Sequence, residues 1–240
     1  MQRNVQAHSW ASIEPALMRN LKPVDPDDEF NFHCTRCADC CKNIDEAVAL
    51  EPIDVFRISR HLRGSGDPDL NIGDILTKYA VPVPLTDFGY MMYFVNTNGP
   101  DASCAFLKSG KCGIHDAKPR ACRMYPLTAD PAEGGDGFNY YLITERLHHL
   151  TGPAIRVGDW MDERMDSEER QYTAAEYGMA LKIGRLMRQS MDSGVKLKTL
   201  LAWFMHFKYF NYDTSQPFLG QYLSNMEALV YVLNTRKEAA

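Results

Sequence analysis

Cys34-Thr35-Arg36-Cys37-Ala38-Asp39-Cys40-Cys41 packs four thiols into eight residues, and this stretch decides how the chain is read. After 62 intervening residues comes a second group, Cys104-Ala-Phe-Leu-Lys-Ser-Gly-Lys-Cys112, which runs on to Pro119-Arg120-Ala121-Cys122-Arg123. The two groups hold all seven cysteines of the 240-residue chain. Cysteines used as small core hydrophobes would scatter, because burial does not require close spacing. Thiolates that share a metal must converge, and a C-x-x-C turn sets two sulfurs on one side of a tight loop. The grouping predicts metal ligation by Cys34, Cys37, Cys40, Cys41, Cys104, Cys112 and Cys122.

Disulfides are the competing reading, and three features oppose it. The first 20 residues show no basic stretch followed by an apolar segment, so export to an oxidising compartment is not expected. An odd cysteine count leaves a disulfide framework incomplete, and bridging the adjacent Cys40 and Cys41 would strain the peptide between them. A cytoplasmic setting is expected.

The composition is that of a globular protein: 45% hydrophobic and 24% charged residues. A net charge of −5 and the lack of a Lys/Arg run argue against a nucleic-acid grip, which needs a basic face. No apolar run approaches the ~18–20 residues that span a bilayer, so no membrane partner is expected. Nucleophile elbow, Walker loop and dinucleotide fingerprint are all missing.

Three regions follow. Residues 1–30 read as an N-terminal arm, with Pro23 and Pro26 breaking an acidic, extended stretch. Residues 31–165 read as the cysteine-cluster domain. Here short strands are expected at 47–50, 90–95 and 138–147, with short helices at about 52–61, 70–79 and after Pro119. Lys108-Ser109-Gly110 predicts a three-residue hairpin loop that pairs Leu107 with Lys111 and Phe106 with Cys112. That register puts Cys104 and Cys112 on one face and turns His115 away from Cys112. Residues 166–240 read as a helical lobe. Apolar stripes predict helices from Ser167, over 195–210 and over 219–233, and these helices are the surface where a protein partner would bind. The fold class expected is α+β: a small antiparallel hairpin or sheet and short helices around a cysteine-ligated metal site, with the helical lobe appended.

Cys34, Cys37 and Cys40 have the spacing of the first three ligands in bacterial ferredoxin-type motifs, which suggests a 4Fe-4S cluster completed from the second group. Zn²⁺ would use the same thiolates four at a time. Seven thiols leave three arrangements open: one cluster with spare thiols, two metal sites, or one polynuclear site. Arg120 and Arg123 flank Cys122 and are expected to donate to sulfur, offsetting the charge of about −2 on a four-thiolate centre. His33, His115, His148 and His149 are weaker signals, and ligation by His115 or His149 stays open.

At these residues the chain resembles the YkgJ-like cysteine-cluster family, described as a zinc- or iron-chelating domain. The matching elements are Cys34 to Cys41, Cys104-Ala-Phe-Leu107, Cys112-Gly-Ile114 and Pro119-Arg-Ala-Cys122-Arg-Met-Tyr-Pro126, and the resemblance covers about residues 30–165. Lys118 stands where arginine is usual, and His115 replaces tyrosine. Members often carry a further cysteine downstream in a C-P-G setting. Here that stretch reads His148-His149-Leu-Thr-Gly152, which leaves His149 as its substitute. Flagellin lysine N-methylases carry a similar cysteine domain, so the resemblance also implies a metal-dependent protein-modifying enzyme. The chain contains no recognisable S-adenosylmethionine loop and no C-x-x-x-C-x-x-C motif. Three functions remain: a metal-binding protein, such an enzyme, or a partner-binding module structured by zinc.

Overall fold

The computed structural model describes residues 20–44, 48–66, 68–132 and 137–235. It is a mixed α+β fold of small antiparallel sheets and short helices, followed by a helical lobe. Within the segment read as an arm, residues 1–19 lie outside the described residues. Its remainder forms β1 (Leu21–Val24) and β2 (Glu29–Asn31). The expected strand at 47–50 is described from Val48 on, as β3 (Ala49–Leu50).

Helix α1 (Pro52–Gly64) starts where the sequence places it. Proline occupies the first turn, and Asp54 accepts the Glu51 backbone N–H at 3.1 Å. Helix α2 (Ile72–Tyr79) starts two residues later than expected, because Asn71 caps it: Asn71 and Asp74 exchange side-chain-to-backbone bonds of 3.1 and 3.0 Å. Pro82 and Pro84 stop this helix and then belong to β4 (Ala80–Pro84), an edge strand on β5 (Met91–Val95), where a missing N–H costs no ladder bond. The order in that sheet is β3-β5-β4.

The hairpin register is corrected. β6 (Thr97–Asn98) pairs with β7 (Ser103–Cys104), and β8 (Leu107–Lys108) pairs with β9 (Lys111–Cys112). Leu107 faces Cys112 and Lys108 faces Lys111, so the loop has two residues, not three. Ser109 and Gly110 both adopt positive φ, 49° and 73°, as a type I′ turn requires, and the twist of such a turn matches that of its strands. Cys104 still joins Cys112 at one site because a turn at Ala105-Phe106 breaks the strand and resets its alternation.

Helix α3 (Arg120–Met124) carries Cys122, and β10 (Leu127–Pro131) and β11 (Phe138–Ile143) follow. The expected strand over 138–147 ends at Ile143, whose N–H closes on the Pro126 carbonyl, and a 3-10 turn covers Leu147–His149. β11 is the centre of a β1-β11-β10 sheet, while β12 (Ala154–Arg156) pairs with β2 and leads into α4 (Val157–Arg164). The lobe comprises α5 (Ser167–Asp192), α6 (Leu197–Met205) and α7 (Phe218–Thr235). The helix expected over 195–210 is α-helical only to Met205 and continues as a π-turn, His206–Phe210, which buries Lys208 and Tyr209.

Among the described residues, apolar side chains gather in two cores. The larger joins α1, α2 and the β3-β5-β4 sheet to the lobe through Phe56, Ile58, Tyr172, Phe204, Phe218 and Tyr222. Each such side chain contributes roughly 1.5–3 kcal/mol relative to exposure. The smaller gathers Phe30, Phe32, Met124, Leu127 and Met161 around Trp160, with both phenylalanine rings edge-on to the indole. Helix α3 lies at the seam: Cys122 packs on the first core and Met124 lies in the second. Among the described residues no helix is long and apolar enough to cross a membrane.

Candidate metal centre

The first cysteine segment is wound tightly. Arg36 and Ala38 take positive φ of 56° and 63°, a 3-10 turn spans Asp39–Cys41, and Asn43 is again left-handed at 53°. Such conformations cost a non-glycine residue energy and cluster at binding sites. Cys34, Cys37 and Cys40 are exposed and Cys41 is half-buried. The segment is tied to the loop before the second group by two bonds: Asn43 N–H to the Asp101 carbonyl (2.8 Å) and Ile44 N–H to the Ala102 carbonyl (3.3 Å). Arg146 holds it from the other side, donating to the Asp39 carbonyl and, at 2.8 Å, to the Lys42 carbonyl.

As a result Cys34, Cys40, Cys41, Cys104, Cys112 and Cys122 line one cavity of about 330 Å³. Its apolar wall is Ile44, Val48, Val95, Phe106, Ile114 and Ile143, and Arg36, Lys111, Lys118 and Arg146 bring positive charge to it. His115, expected to point away from Cys112, lines the same cavity, because β9 ends at Cys112 and a 3-10 turn begins at His115, so strand alternation does not run on to it.

Six thiols in one volume raise an electrostatic problem. Burial pushes the Cys122 and Cys104 thiols up, and the neighbouring sulfurs push them further. Cys40 moves down, first because the Cys41 thiol, 4.0 Å away, hydrogen-bonds to it, then because Lys118 and Arg146 favour a thiolate. Cys41 moves up, through the same contact and through burial. Cys41, Cys104 and Cys122 are thus held as thiols, and a metal taken up here would displace their protons. Six sulfurs exceed the four of a tetrahedral zinc site, but the donors that lie within 4.8 Å of one another among the described residues are a different group, which includes Cys37.

Cys37 takes a different partner. Its Sγ lies 3.3 Å from Nε2 of the buried His149, and these two atoms with an Asp39 carboxylate oxygen lie within 4.8 Å of one another. Nδ1 of His149 is 2.7 Å from the Tyr125 hydroxyl. Burial lowers the His149 pKa, and His148 and Arg146 lower it further, so the ring is neutral and able to ligate. His33 is exposed, and its Cβ lies so close to Gly152 that a side chain at that glycine would collide with it.

The two arginines expected at sulfur are held by carboxylates. Arg120 makes a fork to Glu51 at 2.8 and 2.9 Å and borders a second cavity of about 510 Å³ behind α3. Arg123 donates to Glu169 and, at 3.1 Å, to the Arg164 carbonyl. The cationic groups that line the thiol cavity are instead Arg36, Lys111, Lys118 and Arg146. Sequence reading missed Arg146, Asp39 and Tyr125. The departure of Lys118 from arginine was visible, but nothing in the spacing linked Arg146 to cysteines more than 100 positions upstream.

No curated protein and no solved structure shows a significant match to the chain. Residues 33–146 match the CxxCxxCC family, a domain to which zinc or iron chelation is ascribed. That span runs from the residue before Cys34 to Arg146 and takes in every cysteine, so the thiol cavity described above lies wholly within the stretch that is similar to this family.

Proposed function

We propose that this is a cytoplasmic metal-binding protein whose two cysteine groups jointly ligate an iron–sulfur cluster. Cys34, Cys40, Cys41, Cys104, Cys112 and Cys122 are the sulfur donors available to it. One observation carries the reading: six thiols from segments far apart in sequence converge on a single cavity. Closing so long a loop costs entropy that grows only logarithmically with length, so ligation readily offsets it.

Two features favour a cluster over one zinc ion. The sulfurs outnumber a tetrahedral set, and the cavity exceeds the volume of a single ion. Arg146 and Lys118 would offset the negative charge of the bound centre. When bound, a cluster of this kind would supply one-electron chemistry.

The test is the absorption spectrum with iron, sulfide and zinc analysis of protein purified without oxygen. A brown protein with acid-labile sulfide, bleached by dithionite, is expected. Colourless protein with stoichiometric zinc would replace the cluster by a zinc-structured module.

A further inference from the structure

The second cavity lies between β10, the turn joining β4 to β5, and one face of α5. That face carries Thr173, Glu176, Tyr177, Ala180 and Gly184, whose spacings of three and four bring them into line. Gly184 sits mid-helix, where glycine weakens a helix, yet an added Cβ would meet only Phe88, at an ordinary 4.0 Å. Packing does not call for glycine there, and the position keeps the cavity open. Behind the wall, Lys208 donates to Glu176 and to the Tyr90 hydroxyl, and it is carried there by the π-turn, a device common at functional sites. The hydroxyl of the fully buried Tyr172, near enough to Glu176 and Glu51 for both charges to act on it, has no partner among the described residues. Buried hydroxyls left so are uncommon in native folds.

Most charges facing this cavity are already matched. Arg120 gives its donors to Glu51 and the Ala129 carbonyl, and Glu176 is balanced by Lys208. Asp130 and Arg185 are left: both line the cavity, and among the described residues neither forms an ion pair. Arg185 reaches only the Leu181 carbonyl of its own helix, at 3.3 Å. Loss of water around the Asp130 carboxyl raises its pKa, with Arg120 opposing and Glu51 adding, so a cation beside it would hold it ionised. The remaining walls are apolar, among them Leu85, Phe88, Met92 and Leu181. We propose that this cavity binds a zwitterionic small molecule with an apolar body, of the class of aromatic and branched-chain amino acids, its ammonium at Asp130, its carboxylate at Arg185 and its side chain against Phe88 over Gly184. Opposite charges that face one space without meeting suit a ligand that bears both, whereas a simple cation or a simple anion would be repelled by one of them. A volume of about 510 Å³ falls in the range of small-molecule sites. The inference does not depend on what the thiol cavity holds.

The test is isothermal titration calorimetry of the full chain, as purified, with L-phenylalanine, 2-phenylethylamine and 3-phenylpropionate. The second molecule lacks the carboxylate and the third lacks the ammonium. L-Phenylalanine should bind one equivalent, and each truncated molecule should bind about 10-fold more weakly, as loss of one charged hydrogen bond requires. Asp130→Asn should weaken L-phenylalanine and 2-phenylethylamine about 10-fold and leave 3-phenylpropionate unchanged. Arg185→Gln should do the reverse, weakening the two carboxylates and sparing the amine. Gly184→Leu, which fills the cavity from α5, should abolish binding of all three with native circular dichroism. Should that variant unfold, the two charge variants decide alone, since both positions are exposed. No saturable heat from L-phenylalanine overturns the proposal. Equal affinities for the three molecules, or charge variants that bind all three like wild type, overturn it as well.

Discussion

The guanidinium of Arg123, one residue beyond Cys122, lies against the carboxylate of Glu169 on α5. Glu169 is buried, its side chain 1% exposed, and Arg57 of α1 also donates to it, reaching Oε2 at 2.9 Å. One carboxylate thus joins α1, the cysteine-bearing α3 and the helical lobe.

Arg123→Ala should therefore act on stability before it acts on metal. Breaking a buried pair leaves a partly uncompensated charge, a loss of about 3 kcal/mol with Arg57 still in place. Arg123→Lys should recover part of it, since charge returns without the planar fork. Urea unfolding measures the loss. Metal release by chelator without denaturant should stay close to wild type, and fast release at unchanged stability would place the guanidinium at sulfur after all.

Arg146→Ala should behave in the opposite way. Its two carbonyl bonds hold the Asp39–Cys41 turn, and its charge favours thiolate at Cys40. Chelator competition should show metal loss about 10-fold faster, with a small change in urea midpoint. An unchanged rate would contradict the role given to Arg146.

Much of this was legible in the sequence. The convergence of six of the seven cysteines on one cavity, the starts of α1 and α5, and the presence of the lobe helices followed from spacing, capping residues and apolar stripes. The hairpin register was not, because Lys108-Ser109-Gly110 suits a three-residue loop by composition while Ser109 adopts the left-handed conformation of a two-residue one. Arg120 was misjudged although the signal existed: residues two apart on a helix differ by about 200°, so Arg120 and Cys122 face opposite ways. The Arg146 clamp depends on how β11 and the following turn pack, which no local pattern encodes.

Lys208 and Glu176 give a prediction for the lobe. The Lys208 ammonium, 2% exposed, donates to Glu176 and, at 2.8 Å, to the Tyr90 hydroxyl. Glu176→Ala should lower stability by about 3–5 kcal/mol because it strands a buried cation. Lys208→Met should cost less, since Glu176 keeps the Tyr222 hydroxyl at 2.6 Å. Equal losses in the two variants, measured by urea unfolding, would contradict this ordering.

Asp54 makes stability depend on pH. Burial, and then Glu51, raise its pKa to about 7, against the pull of the Arg120 and Glu51 backbone N–H groups. The native carboxyl keeps its proton to higher pH than the unfolded one, so its contribution is full below about pH 4 and is lost as pH rises through about 7. Urea midpoints across this window should fall with pH more steeply in wild type than in Asp54→Ala. Equal slopes would show that Asp54 titrates normally.

The central claim is that both cysteine groups hold one metal centre, and metal content per chain after anaerobic purification tests it most directly. Wild type should retain metal, while Cys34→Ala/Cys40→Ala/Cys41→Ala and Cys104→Ala/Cys112→Ala/Cys122→Ala, each folded by circular dichroism, should both lose the cavity's share. Undiminished metal in either variant would mean that the site is local to one group, and metal-free, folded wild-type protein would contradict the account altogether.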